Sequence, residues 1–242
     1  MNLFSSDVDW APEEVVEDTI SLFNNFNVKC TFFCTHQSAV LNSISQSLDF
    51  ELGIHPNFLP LMKGEKTSIE EVIENILNII PSAKGVRSHS LVQSTLLTEK
   101  FKEFGLEYES NTLLPYWEKI RATKLWNGII RLPINFEDDV HFMYRKGFRD
   151  CGLNHKGGGL NIFSFHPIHI FLNTDSVATY NLARKHYQDS NELIKYRNKT
   201  VYGTRDLLID LLKGDRANFN ESFTFSEYID NHYFKSNENS KH

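Results

Sequence analysis

Short apolar runs rich in aromatic and β-branched residues alternate with stretches of helical period from Leu3 to Lys213, and this alternation restricts the fold more than any other feature. Strand-like runs are read near residues 29–35, 50–54, 84–86, 106–110, 125–134 and 160–165. Helical stretches fall at 12–26, 38–45, 68–80, 95–104, 176–196 and 204–213, the last closed by Gly214. Pro12 suits a first helical turn, and Thr67-Ser-Ile-Glu70 reads as a capping box. Strands separated by helices predict an α/β fold with a mainly parallel sheet. The chain of 242 residues has no linker, repeat or break in composition, so one domain over 1–235 is expected, followed by a polar, disordered tail at 236–242.

Charge narrows the function. The net charge of −6, with Lys and Arg scattered rather than massed, argues against nucleic acid as the partner. No apolar run reaches membrane length, and the N-terminus lacks a basic-then-apolar layout, so a cytoplasmic location is expected. Cys30, Cys34 and Cys151 make neither a disulfide framework nor a zinc ribbon; Cys30 and Cys34 read as inert core thiols on one face of a strand. The run Gly157–Gly159 reads as a plain turn.

The chemistry begins at Phe4-Ser-Ser-Asp7-Val-Asp9-Trp10. On an extended segment the two carboxylates share one face. Taken alone, the pair would serve equally as an N-cap or an acidic strand end. Yet Asp7/Asp9, His55, Arg87/His89, Asp138/Asp139/His141 and His166 each follow a predicted strand, and parallel strands carry such ends to one rim. Histidine and carboxylate donors suit zinc or a similar divalent cation, which polarises a carbonyl and acidifies water. A second carboxylate and a histidine then move protons, and Arg87 can orient a carboxylate. These parts describe hydrolysis of an amide or ester. Trp10, Trp126, Asn57 and His141 are candidates to line a sugar site, though each also suits a structural role.

The same residues resemble the metal-dependent polysaccharide deacetylases, the NodB-like carbohydrate esterases. Ser6-Asp-Val-Asp9-Trp10 resembles the first family motif with one residue inserted, and Thr31-Phe-Phe33 matches its second strand. His55 matches the first member of His-x-x-x-His, while Leu59 stands at the second. Arg87-Ser-His89 is similar to the Arg-x-Pro segment, and Ser164-Phe-His166 to the Leu-x-His segment. The set Asp-Val-Asp-Trp, Gly-Ile-His-Pro-Asn-Phe, Val-Arg-Ser-His-Ser, Glu-Asp-Asp-Val-His and Phe-His-Pro-Ile-His resembles most closely a WbmS-like branch, over residues 4–205.

The resemblance implies a distorted, incomplete (β/α) barrel with a metal at its mouth, removing N-acetyl groups from a sugar or surface-polysaccharide precursor. It makes Asp7 the base, Arg87 its anchor, Asp9 and His55 metal ligands, and His166 the acid. The Asp138-Asp139 pair is loosely similar to the motif whose carboxylate orients the catalytic histidine; neighbours on a strand face opposite ways, and Asp139 is taken as the inward member. Since Leu59 cannot bind metal, His89 is expected to complete the ligand set, with His141 as its rival. Three other readings compete: a glycosyltransferase using Asp7-Val-Asp9, a carbohydrate-binding domain without catalysis, and a metal-dependent hydrolase of another ester or amide.

Overall fold

A computed structural model of the chain describes residues 1–144, 147–149, 152, 159–216 and 222–234. Cys151, most of the run Gly157–Gly159 and the tail at 236–242 lie outside the described residues. The strands are β1 (Asn2–Asp7), β2 (Cys30–Cys34), β3 (Phe50–Ile54), β4 (Gly85–Val86), β5 (Tyr108–Glu109), β6 (Thr123–Lys124), β7 (Ile130–Arg131), β8 (Phe136–Glu137) and β9 (Asn161–Phe165). The helices are α1 (Glu13–Phe26), α2 (Ala39–Ile44), α3 (Leu59–Met62), α4 (Ile69–Leu77), α5 (Thr95–Glu103), α6 (Asp138–Met143), α7 (Pro167–Leu172), α8 (Val177–Ala183), α9 (Ser190–Leu193), α10 (Thr204–Arg216) and α11 (Phe225–Tyr228). The sheet runs β6-β7-β5-β4-β3-β2-β1-β9-β8, parallel throughout except for β6 against β7.

Period-two alternation gives the sheet two different faces. Phe4, Cys30, Phe32, Cys34, Phe50, Phe136, Phe163 and Phe165 join the outer core with α1, α7 and α10. Cys30 and Cys34 therefore do share a face, and both are buried free thiols. The opposite face carries Leu3, Phe33 and Ile162, but also a polar column: Ser5 lies in register with Thr31 and Ser164, Thr31 with Glu51, and Ser164 with Glu137. Arg87, just beyond β4, reaches across to bond both Ser5 and Ser164. Those strands lie three and four places away, roughly 14 and 19 Å in a flat sheet, farther than an arginine extends. The sheet is thus curled into a half-barrel, and its polar face lines the lumen. Phe225 closes the lumen from below, packed on Phe33 and Tyr108, while Ser226 and Thr31 anchor the segment around it.

Local chemistry shifts several expected elements. The capping box forms one residue later, between Ser68 and Glu71. The run at 125–134 is a hairpin rather than one strand, because Asn127-Gly128 turns the chain, with Gly128 at φ 93°. Residues 176–196 break into two helices where Asp189 caps α9 by accepting from the Asn191 and Glu192 amides. α10 continues through Gly214 instead of ending there.

Candidate active site

Three strand ends supply the first cluster. β1 stops at Asp7, and Asp9 and Trp10 turn into left-handed backbone, φ 46° and 57°. Asp9 is therefore aimed by a tight turn, not by the strand alternation that the sequence implied. Left-handed backbone costs a non-glycine residue about 1–2 kcal/mol, and three contacts hold it here. The Trp10 amide donates to Thr35 Oγ1 at 2.9 Å, and the Tyr187 hydroxyl and Gln188 amide donate to the carbonyls of Asp9 and Trp10. His55 follows β3 directly, its amide bonded to Cys34 O, and the His89 amide is bonded to Pro56 O.

The result is a convergence on one carboxylate oxygen. Asp9 Oδ1 lies 3.1 Å from His55 Nε2 and 3.0 Å from His89 Nδ1. Asp9, His55 and His89 each offer a ligand atom within 4.8 Å of the others, so the three could hold a cation between them. Burial works against ionisation of Asp9, but the hydrogen bonds from both imidazoles and the charge at His166 outweigh it. Its carboxyl is held far below the ordinary aspartate range. Two imidazoles and an ionised carboxylate form a donor set that fits zinc or a neighbouring divalent ion. Leu59, at the site of the missing histidine, begins α3.

The groups expected to handle protons lie alongside. Asp7 Oδ1 accepts from Arg87 Nη1 at 2.7 Å, with both side chains buried. Arg87 also donates to Ser5 Oγ, Ser164 Oγ, Ser110 O and Ser110 Oγ, and it stacks on Phe33 at 4.4 Å. His166 Nε2 stands 3.7 Å from Asp9 Oδ2, while its Nδ1 and backbone amide both bond Asp138, at 2.7 and 2.9 Å. Burial lowers the pKa of His166, but the charge and hydrogen bond of Asp138, reinforced by Asp139 and Asp9, carry it well above the ordinary histidine value.

Several expected sites fall elsewhere. Asp138, not Asp139, orients His166. The pair opens α6 rather than continuing a strand, and residues turned about 100° apart both stay near His166. His141 is no metal ligand in this arrangement: it is buried against Phe136 and Phe148, its Nδ1 on Tyr116 Oη and its Nε2 facing Gly147 O. Trp126 sits in the turn before β7, on the rim opposite the site, and donates to Glu99. Asn57 spends its carbonyl on the Leu59 amide. Trp10 remains at the mouth, edge-on to His89 with ring centres 5.1 Å apart. Sequence reasoning passed over Ser5, Ser164, Glu137 and Tyr187; serines at inward positions of otherwise apolar strands were the available signal. His169, also given no role, is buried with Nδ1 on Thr174 Oγ1, and burial keeps it well below the usual histidine pKa.

The family described as WbmS-like, polysaccharide deacetylase, matches residues 4–184. A solved structure from Bordetella bronchiseptica, described as a polysaccharide deacetylase involved in O-antigen biosynthesis, is 35% identical with a TM-score of 0.81, covering 87% of this chain and 89% of its own. A polysaccharide deacetylase structure from Mycobacterium smegmatis is 15% identical, TM-score 0.47, covering 69% of this chain and 76% of its own. A 4-alpha-glucanotransferase from Thermococcus litoralis shares the fold alone, at 12% identity and TM-score 0.51 over 95% of this chain and 38% of its own. No curated protein matches. Among the described residues, no helix is long and apolar enough to cross a membrane. The chain belongs to the WbmS-like polysaccharide deacetylases, a mixed α/β domain built on a curled half-barrel sheet.

Proposed function

We propose that this protein is a metal-dependent N-deacetylase acting on an N-acetylated sugar of a surface polysaccharide or its precursor, with zinc the first candidate for the cation. The observation that carries the reading is the meeting of Asp9, His55 and His89 within 4.8 Å, beside a buried Asp7–Arg87 pair and a His166–Asp138 pair. The description of the Bordetella bronchiseptica neighbour supports the substrate class.

Asp9, His55 and His89 are the residues that would hold the cation. Bound there, it would polarise the acyl carbonyl and make water easier to deprotonate. Asp7 is the base that takes the proton from the attacking water. Arg87 fixes Asp7 through Oδ1, and Oδ2 carries no hydrogen bond among the described residues, so it is left to accept that proton. His166, held as an imidazolium by Asp138, gives its proton to the departing nitrogen as the C–N bond breaks. The products are the amine and acetic acid. General acid–base steps of this kind are each worth about 10²–10⁴ in rate.

The test is acetate release from a panel of N-acetylated sugars by metal-loaded protein. Release is expected to vanish on chelation and to fall at least about 100-fold in Asp7→Asn. Release that survives both treatments would overturn the mechanism, and no release from any sugar would overturn the function.

A further inference from the structure

Glu137 and Asp139 are carboxyls at the reaction centre to which no residue above gives work. Glu137 ends β8 in register with Ser164, an inward position. Its carboxyl comes within 4.8 Å of both the Asp7 carboxylate and a His166 ring nitrogen. The residue is only 9% exposed, and its side chain makes no hydrogen bond or ion pair among the described residues. Asp139 also lies within 4.8 Å of His166, with Oδ1 sealed from solvent and equally without a partner.

The fold satisfies the carboxylates on its other strands. Glu109 pairs with Arg131 and accepts the Asn111 amide; Glu51 accepts from Tyr108, Thr31 and Ser226. Around Glu137 the charged groups are already engaged. Asp7 from β1 holds Arg87, Asp138 from α6 holds His166, and Arg87 spends its donors on Asp7, Ser5, Ser164 and Ser110. Burial first, and the charge of Asp139 second, make Glu137 retain its proton well above the ordinary range. Both carboxyls stand beside His166, whose charge is already shared with Asp138, and no Lys or Arg side chain pairs with either among the described residues.

We infer that Glu137 and Asp139 form a subsite for a primary ammonium group, of the kind an amino sugar carries. The choice of ligand rests on the deacetylase reading: the new amine takes its proton at His166, directly beside these two carboxyls. An ammonium has three N–H donors, enough to reach separate oxygens, and a carboxyl pair gives it charge-assisted bonds in a water-poor setting. The subsite makes the amine product, rather than the acetylated substrate, the better ligand.

The test needs no turnover. D-Glucosamine, D-glucose and N-acetyl-D-glucosamine are titrated against the full-length protein by NMR. Glucosamine is expected to bind at least about tenfold more tightly than either neutral sugar. Glu137→Gln and Asp139→Asn should each remove most of that preference, with circular dichroism showing the fold intact. Asp139 is half-buried, so its variant reports even where Glu137→Gln does not fold. Equal binding of the three sugars to the wild type, or a preference that survives in Asp139→Asn, overturns the subsite. An amine held by the cation instead would give the latter result. A preference without acetate release keeps the subsite and removes the deacetylase reading; acetate release without a preference does the reverse.

Discussion

Asp138→Asn keeps the shape of a fully buried side chain and removes its charge, which makes it the sharpest probe of the proposed acid. The carboxylate accepts two hydrogen bonds from His166, at Nδ1 (2.7 Å) and the backbone amide (2.9 Å). Asparagine has one acceptor oxygen, so one of these bonds is lost along with the charge. A charge-assisted bond contributes about 1.5–3 kcal/mol, and 1.36 kcal/mol corresponds to one pKa unit. The substitution should therefore lower the His166 pKa by roughly 1–2 units. The direction follows from which form is favoured. His166 is raised in the folded state, so the stability its proton brings is complete below the unfolded histidine value of about 6.5 and is lost as pH rises through the folded value. Asp138→Asn should accordingly lose about 1.5–3 kcal/mol of stability on the acid side of that window and much less beyond it. The alkaline limb of kcat/KM should move down by the same 1–2 units, roughly. Histidine NMR titration, urea unfolding across pH and the pH–rate profile read these quantities independently. Asp139→Asn, which removes a nearby charge but no bond to His166, should give a smaller shift. An unchanged His166 titration in Asp138→Asn, or a larger shift in Asp139→Asn, refutes the assignment.

Two further outcomes follow from the packing. His89→Ala should lose bound metal while His141→Ala retains it, measured as elemental content after dialysis against zinc; unchanged metal in the His89 variant would remove His89 from the ligand set. Arg87→Met leaves Asp7 buried without its cationic partner and should cost about 3–5 kcal/mol in urea unfolding. Arg87→Lys should recover only part of that, because one ammonium cannot serve Ser5, Ser164 and Ser110 together. A loss under about 1 kcal/mol in Arg87→Met would show the pair to be dispensable.

Much of the site was legible because parallel strands impose a simple rule: whatever follows a strand arrives at one rim. His55, Arg87, His89 and His166 could be placed by finding strand ends alone. The rule stops working where strand geometry stops. Asp9 is aimed by left-handed backbone that a strand reading cannot anticipate. At 138–141 a helix begins, so a turn of about 100° replaced the expected 180° alternation: Asp138, not Asp139, bonds the His166 ring, and His141 is buried against Phe136 and Phe148. Trp126 was misplaced for the same kind of reason, since Asn127-Gly128 turns the chain on the wrong rim.

By itself the sequence determined the fold class and which strand ends carry reactive side chains, because these depend on periodicities of two and 3.6 that operate over a few residues. Tertiary structure alone decided how those ends meet. The curl of the sheet brings Arg87 within bonding distance of Ser5 and Ser164, and lets His89 share one oxygen of Asp9 with His55. Curvature sums small twists over nine strands and is set by what fills the lumen, so no local stretch of chain encodes it.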